Sequence, residues 1–309
     1  MSELKITVVT SNSTAVPLIS MLAQRHLLAG VLLLGEQNQE RAVMEGQLKQ
    51  SGIPVQYCPP GDYDKAITAL TAWQNQLGLV FCCSEKLPIT LVNTPPHGMV
   101  NLHASALPDY RGANPIYWQI RHGKTDLMLT AHQVDETLDT GPIITQRAVT
   151  IGPYDTPNRV FSSLIQQIPS IVDALTTQLQ QQGHLTTQPQ QGETQHKAPR
   201  VTESDLLINW RHLSATELCN QVRAGNPIYG GARLVMGQGQ AQLLQASPSA
   251  LPTYGATPGT IIQLSPEQGL TVALKEESVR LDIISNTDGT FDGYRFAQTC
   301  KLSAGMQFQ

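Results

Sequence analysis

The sequence predicts an α/β protein in two parts: an open parallel sheet with helices on both faces, followed by a smaller antiparallel β-barrel. Three observations carry this. Strand-length apolar runs alternate with helical periods through the first half, and these runs are continuous rather than alternating, as in strands buried on both faces. The last hundred residues carry about five strand-like runs at close spacing, the mark of a small barrel or curled sheet. Between the two lies a polar, glutamine-rich stretch, 183–200, that reads as a linker. The 309 residues are enough for two cores, giving expected domains over 1–182 and 201–309.

Each element follows from a local pattern. "LKITVVT" (4–10) and "LLAGVLLL" (27–34) read as strands, with a helix over 15–26 that sets Leu18, Met21 and Leu22 near helical spacing. "QERAVMEGQLKQSG" (39–52) reads as a helix closed by Gly52, leading into a strand at 53–58. A third helix covers 63–76, and strands follow at 77–83 and 97–103. Two more strands are expected at 127–135 and 142–150, then one long helix over 156–182 kinked at Pro169. In the second part Ser214, with Glu217 three residues on, forms a capping box for a helix. The five strand runs start at 232, 240, 259, 269 and 278.

Composition narrows the function classes. The net charge of −4 is evenly spread: residues 1–190 hold 11 Lys and Arg against 14 Asp and Glu, and residues 191–309 hold 9 against 10. Neither half has the basic footprint of a nucleic-acid binder. The five cysteines are odd in number and widely spaced, with no C-x-x-C, so neither a disulfide framework nor a zinc site is expected. No apolar run reaches the ~20 residues needed to span a bilayer. The opening "MSELKITVV" lacks a charged region followed by a long apolar one. A cytoplasmic protein without a membrane partner is therefore expected.

The chemistry concentrates in "NLHASALPDYRG" (101–112). Asn101 and His103 stand at i and i+2 near the end of a strand, so both side chains face one spot. In open parallel sheets that spot is the ligand crevice at the carboxyl ends of the strands. A carboxamide that donates and an imidazole that moves a proton suit a carbonyl turning into an oxyanion. Ser105 is not set in a G-x-S-x-G elbow, so direct attack by a substrate nucleophile is expected rather than an acyl-enzyme. "VDETLDTGPII" (134–144) adds Asp135, Glu136 and Asp139 in a turn between strands, where a carboxylate could orient His103 and receive a proton. The single D-T-G, at 139–141, cannot build the paired carboxylates of an aspartic protease. His97, His103 and His132 lack paired metal-ligand spacing, so no metal is expected.

"NLHASALPDYRGANPIYWQIRHG" followed by "TAHQVDETLDTGPII" closely resembles the signature of the folate-dependent formyltransferases. "PRVTESDLLINWRHLSATELCNQVRAGNPIYGGA" (199–232) is similar to the start of the C-terminal domain of methionyl-tRNA formyltransferases. The resemblance implies a Rossmann-like formyltransferase domain, an OB-like β-barrel C-terminal domain, and 10-formyltetrahydrofolate as formyl donor. It implies Asn101, His103 and Asp139 as the catalytic trio. It also places Cys83, Ser84, Leu87 and Pro88, together with Asp135, Glu136, Thr137 and Leu138, around the pterin. Ser11, Asn12, Ser105 and Arg111 fall where the acceptor would be held.

Two departures bear on the acceptor. Thr10-Ser11-Asn12-Ser13 replaces the family's Gly-Thr-Pro after the first strand, and the region of its long basic loop is here "GEQNQERAVMEGQ" (35–47), three Glu against one Arg. Fewer phosphate contacts mean weaker tRNA binding. The expected reaction is therefore N-formylation of a small amine, an amino sugar or amino-acid derivative. Formylation of Met-tRNA is the main alternative; hydrolysis of the formyl-folate and an inactive binding protein are the others.

Overall fold

The computed structural model describes residues 4–237 and 239–309; Met1–Glu3, where a leader would begin, lie outside the described residues. The chain divides into two compact units. The first takes residues 1–115, 127–149 and 162–198, and the second takes 116–126, 150–161 and 199–309.

The first unit carries β1 (Ile6–Thr10), β2 (Leu28–Leu34), β3 (Val55–Cys58), β4 (Leu77–Val80), β5 (Met99–His103), β6 (Asp126–Gln133) and β7 (Ile143–Thr150). They form one sheet in the order β3-β2-β1-β4-β5-β6-β7. The pairs from β3 through β5 are parallel, and β6 runs antiparallel to β5. Every residue of β1 is buried, as its unbroken apolar run requires. The chain winds outward from β1 to β3, then returns to place β4 on the other side of β1. That reversal falls between β1 and β4, the position at which open sheets of this kind hold their ligand crevice, between the loops after the two strands.

Helices α1 (Val16–Gln24), α2 (Gln39–Gln50), α3 (Asp64–Ala72) and the single turn α4 (Ile89–Val92) connect these strands. Their apolar faces pack on the sheet: Leu70, Leu91 and Val92 join Val9, Leu32, Val80 and Met99 in one core. Each such fully buried side chain contributes about 2 kcal/mol. The helical turn α5 (Pro115–Arg121) follows the 101–112 segment. Over 156–182 the chain forms two helices, α6 (Pro157–Ile165) and α7 (Ile168–Gln182), instead of one kinked helix. Pro169 lies in the first turn of α7, where its missing N–H costs nothing, and Gln167 precedes that helix as its cap.

Of the glutamine-rich stretch 183–200, expected to be a linker, residues 183–198 group with the first unit and 199–200 with the second. Gln188 exchanges two backbone hydrogen bonds with Ile143, and Ala198 donates to the Arg111 carbonyl. A low apolar content did not leave this stretch loose, because its backbone and amide side chains find partners.

The second unit adds α8 (Glu203–Leu206), α9 (Ala215–Gly225), β8 (Ala232–Met236), β9 (Gly239–Ser249), β10 (Ile261–Ser265), β11 (Gly269–Ala273), β12 (Ser278–Asn286), β13 (Gly289–Asp292) and α10 (Gly293–Thr299). Six strands form an antiparallel sheet in the order β10-β11-β12-β9-β8, with β13 also on β12. Five were expected; β13, four residues long, has too little pattern to read. Ser214 and Glu217 close the capping box of α9. Trp210 stacks on Phe308 over a core with Leu218, Leu243 and Phe296.

Candidate active site

The crevice is tied together at the carboxyl edge. Ser11 Oγ accepts from the Ser84 amide at 3.1 Å, the Ser11 amide donates to Cys82 O at 3.1 Å, and Asn12 Nδ2 donates to Cys82 O at 3.3 Å. The first turn of α2 holds the same region. Glu40 Oε1 accepts from both the amide and the hydroxyl of Ser13, at 2.9 and 2.6 Å, and Arg41 donates to the carbonyls of Ser11 and Glu36. These bonds to Ser13 hold the Glu40 carboxyl below the usual carboxylate range. The one cation of residues 35–47 is thus committed to carbonyls.

Asn101, His103 and Asp139 come together, as the i, i+2 spacing and the 135–139 turn predict. Asn101 Nδ2 lies 3.3 Å from Asp139 Oδ1, and His103 Nδ1 lies 3.6 Å from the same oxygen. Both His103 and Asp139 are buried. His103 Nε2 meets the Tyr110 carbonyl at 2.9 Å, so Nε2 carries a proton and Nδ1 is the atom that can exchange one within the cluster. Asp139 Oδ2 accepts from the Gly112 amide at 3.0 Å. Gly112 is required here, since a Cβ would overlap the Ala198 carbonyl.

A fourth member was missed by sequence reasoning. His132 on β6 stands opposite Asn101 on β5. Its Nε2 is 3.1 Å from Asn101 Nδ2 and 3.7 Å from Asp139 Oδ1, and its Nδ1 meets the Gln133 carbonyl at 2.8 Å. Burial, reinforced by neighbouring His103, pushes the His132 pKa down to about 4. Neutral His132 donates through Nδ1 and offers a lone pair at Nε2. Facing that lone pair and the Asp139 carboxylate, the inner amide atom of Asn101 must be its nitrogen.

Other expected site residues divide. Cys83 and Ser84 line the β4 loop beside Ser11, with Ser11 Oγ 3.6 Å from Cys83 Sγ. Burial pushes the Cys83 thiol up, so it remains a thiol. Leu87 is buried and Pro88 precedes α4, yet the Leu87 main chain makes no hydrogen bond to another described residue. The main chains of Glu136 and Leu138 likewise make none, while Leu138 is exposed. Asp135 holds the turn by accepting from the Thr137 amide and Thr140 Oγ1. Ser105 is fully buried, and its hydroxyl donates to the Asp109 carbonyl at 2.6 Å. Arg111 is likewise engaged, donating through Nε and Nη2 to Gln190 Oε1 at 3.2 and 2.5 Å. Among the described residues, no group of three His, Cys, Asp or Glu could hold a metal ion.

An amide, two imidazoles and a carboxylate thus meet at the carboxyl edge of an open α/β sheet, a set of groups suited to transfer chemistry at a carbonyl. The chain belongs to the formyl transferase family: the family's profile covers residues 4–173, and that of the formyl transferase C-terminal domain covers 200–298. Members of this family transfer formyl groups, and this chain is a formyltransferase. Methionyl-tRNA formyltransferase of Paraburkholderia phymatum is 32% identical over 252 residues, 81% of this chain and 76% of that protein. Two solved structures share the fold at 16% identity and a TM-score of 0.63. One is the N-formyltransferase of Helicobacter canadensis with folinic acid and dTDP-3-aminofucose, matched over 90% of this chain and 98% of that one. The other is WlaRD, a sugar 3N-formyl transferase, with dTDP and 5-N-formyl-THF, matched over 89% and 96%. No helix among the described residues is long and apolar enough to cross a membrane.

Proposed function

We propose that this formyltransferase moves the formyl group of 10-formyltetrahydrofolate onto the amine of a small acceptor such as an amino sugar or amino-acid derivative. The observation that carries the reading is the Asn101–His103–Asp139 cluster with the His103 tautomer fixed by Tyr110. The acceptor's nitrogen attacks the formyl carbon, and the carbonyl electrons move to oxygen. His103 Nδ1–H stabilises that oxyanion. The long 3.3 Å bond from Asn101 to Asp139 is the one a formyl oxygen replaces, while His132 keeps the amide nitrogen turned toward it. Asp139 receives the proton released by the amine. Collapse breaks the bond from carbon to the folate nitrogen N10, which leaves with the proton that Asp139 took from the amine. Atoms and charge balance, with tetrahydrofolate and a formamide as products.

The residues present fit the folate. A pterin presents a flat edge of donors and acceptors, and the unpaired main-chain groups of Leu87, Glu136 and Leu138 are suited to pair with it. Ser11 and Asn12 line the acceptor side. The commitment of Arg41 to two carbonyls, beside Glu36 and Glu40, favours an acceptor without a polynucleotide backbone. A second reading, Met-tRNA formylation, is favoured by the likeness to methionyl-tRNA formyltransferases along most of the chain.

The test is tetrahydrofolate release from 10-formyltetrahydrofolate with small amines, dTDP-3-aminofucose and Met-tRNA offered in parallel. Turnover of a small amine is expected, with Asn101→Ala slowed on the order of 100-fold, the worth of one oxyanion donor. Efficient, salt-sensitive turnover of Met-tRNA alone would assign the second reading. Unchanged turnover in Asn101→Ala would remove that residue from the mechanism.

A further inference from the structure

We propose that Gln190 is a positioning residue for formyl transfer, holding the turn that presents Asp139. The inference rests on the reading of Asp139 given above. Asp139 sits at φ 57°, the left-handed region that a non-glycine residue adopts at a cost, and such a conformation persists where surrounding contacts fix it. Thr140 Oγ1 braces the turn from within, through Asp135 and the Thr137 carbonyl. Gly141 lies so close to β6 that a Cβ would overlap the Gln133 carbonyl.

Gln190 supplies the brace from outside. Its Nε2 donates to the carbonyls on both sides of Thr140, Asp139 O at 2.9 Å and Gly141 O at 2.8 Å, which uses both amide hydrogens. Its Oε1 accepts two N–H groups of Arg111. The next residue, Gly112, gives its amide to Asp139 Oδ2. One side chain therefore ties the Asp139 backbone to the segment that grips the Asp139 carboxylate.

The same stretch secures the partner of His103. Thr194 Oγ1 donates to Pro108 O, the His196 amide donates to Asp109 Oδ1, and the Tyr110 amide donates to His196 O. Tyr110 then offers its own carbonyl to His103 Nε2. Residues 174–199 lie outside both profile matches, so family membership assigns nothing to Gln190.

An amide is needed at 190 because the position must both donate to carbonyls and accept from a guanidinium. Glutamate keeps the second function and loses the first. Steady-state kinetics of Gln190→Ala and Gln190→Glu, with whichever of the offered amines, dTDP-3-aminofucose or Met-tRNA is turned over best, separates positioning from packing. Both variants should lose about 10-fold in kcat, with KM for donor and acceptor within about two-fold, the size expected for one lost hydrogen-bonding group. The melting temperature of Gln190→Glu should stay near that of the parent, because Arg111 keeps its partner. In an Asp139→Asn background, Gln190→Ala should cause no further loss. Parental kcat in Gln190→Glu, or an undiminished Gln190 effect in the Asp139→Asn background, overturns the proposal. Parental turnover by Asp139→Asn itself overturns the catalytic reading of Asp139 and the proposal with it; an inactive Asp139→Asn beside a fully active Gln190→Glu overturns the proposal alone.

Discussion

His132 is a group whose ionisation the fold resists. Its pKa lies near 4 in the folded chain and at about 6.5 when unfolded. Between those values the unfolded chain binds the extra proton, so stability is intact above about pH 6.5 and is lost as pH falls toward 4, by up to about 1.4 kcal/mol per pH unit. Thermal melting across this window should show the decline, and His132→Gln should flatten it. An identical pH dependence in that variant would show that other groups are responsible. Asn101 and His103 were legible because strand periodicity alone puts i and i+2 on one side. His132 was not, although its strand was. What brings it to Asn101 is the antiparallel register of β6 on β5, and register is fixed by tertiary pairing that a single sequence does not display.

At the level of elements, α2 shows how a surface charge can be structural. Glu36, Glu40 and Glu45 look alike in sequence, but Glu45 pairs with Lys49 on its own helix while Glu40 holds Ser13 of the β1–α1 loop. Glu40→Ala should leave two Ser13 donors to solvent and loosen that loop, raising KM for the acceptor by about 3- to 10-fold, the worth of roughly 1 kcal/mol of hydrogen bonding. Glu40→Gln, which keeps an acceptor, should restore most of it, and equal KM values in both variants would disconnect the loop from acceptor binding. The strands and helices of the parallel sheet were legible because continuous apolar runs and helical periods leave few alternatives. The break between α6 and α7 was read as a kink, since a proline signals interruption without saying on which side a new helix starts. The hydrogen bonds made by 183–198 were not legible, because composition reports missing apolar area and says nothing of amide side chains such as Gln190 that bond to backbone.

For the whole molecule, charge makes the discriminating prediction. A chain with 20 Lys and Arg against 24 Asp and Glu, whose Arg41 is bonded to carbonyls, has no excess of cations to displace counterions from RNA. Its affinity for tRNA should fall less than about 10-fold between 50 and 200 mM salt, where a protein making six or more phosphate contacts loses about 1,000-fold or more. A steep dependence, measured by filter binding with initiator and elongator tRNA, would overturn the small-acceptor reading. The division into two units has a consequence for how such chains can be recombined. The second unit is assembled from three stretches of sequence: Trp118 donates to the Pro199 carbonyl, Tyr117 to that of Asp205, and Arg223 reaches back to the carbonyls of Gly152 and Asp155. A single crossover with a relative, wherever it falls after residue 161, hands the incoming half two foreign segments, 116–126 and 150–161, to pack around. Functional chimeras of this chain should therefore carry those two segments along with the C-terminal half they contact, a three-piece exchange rather than a swap at one junction.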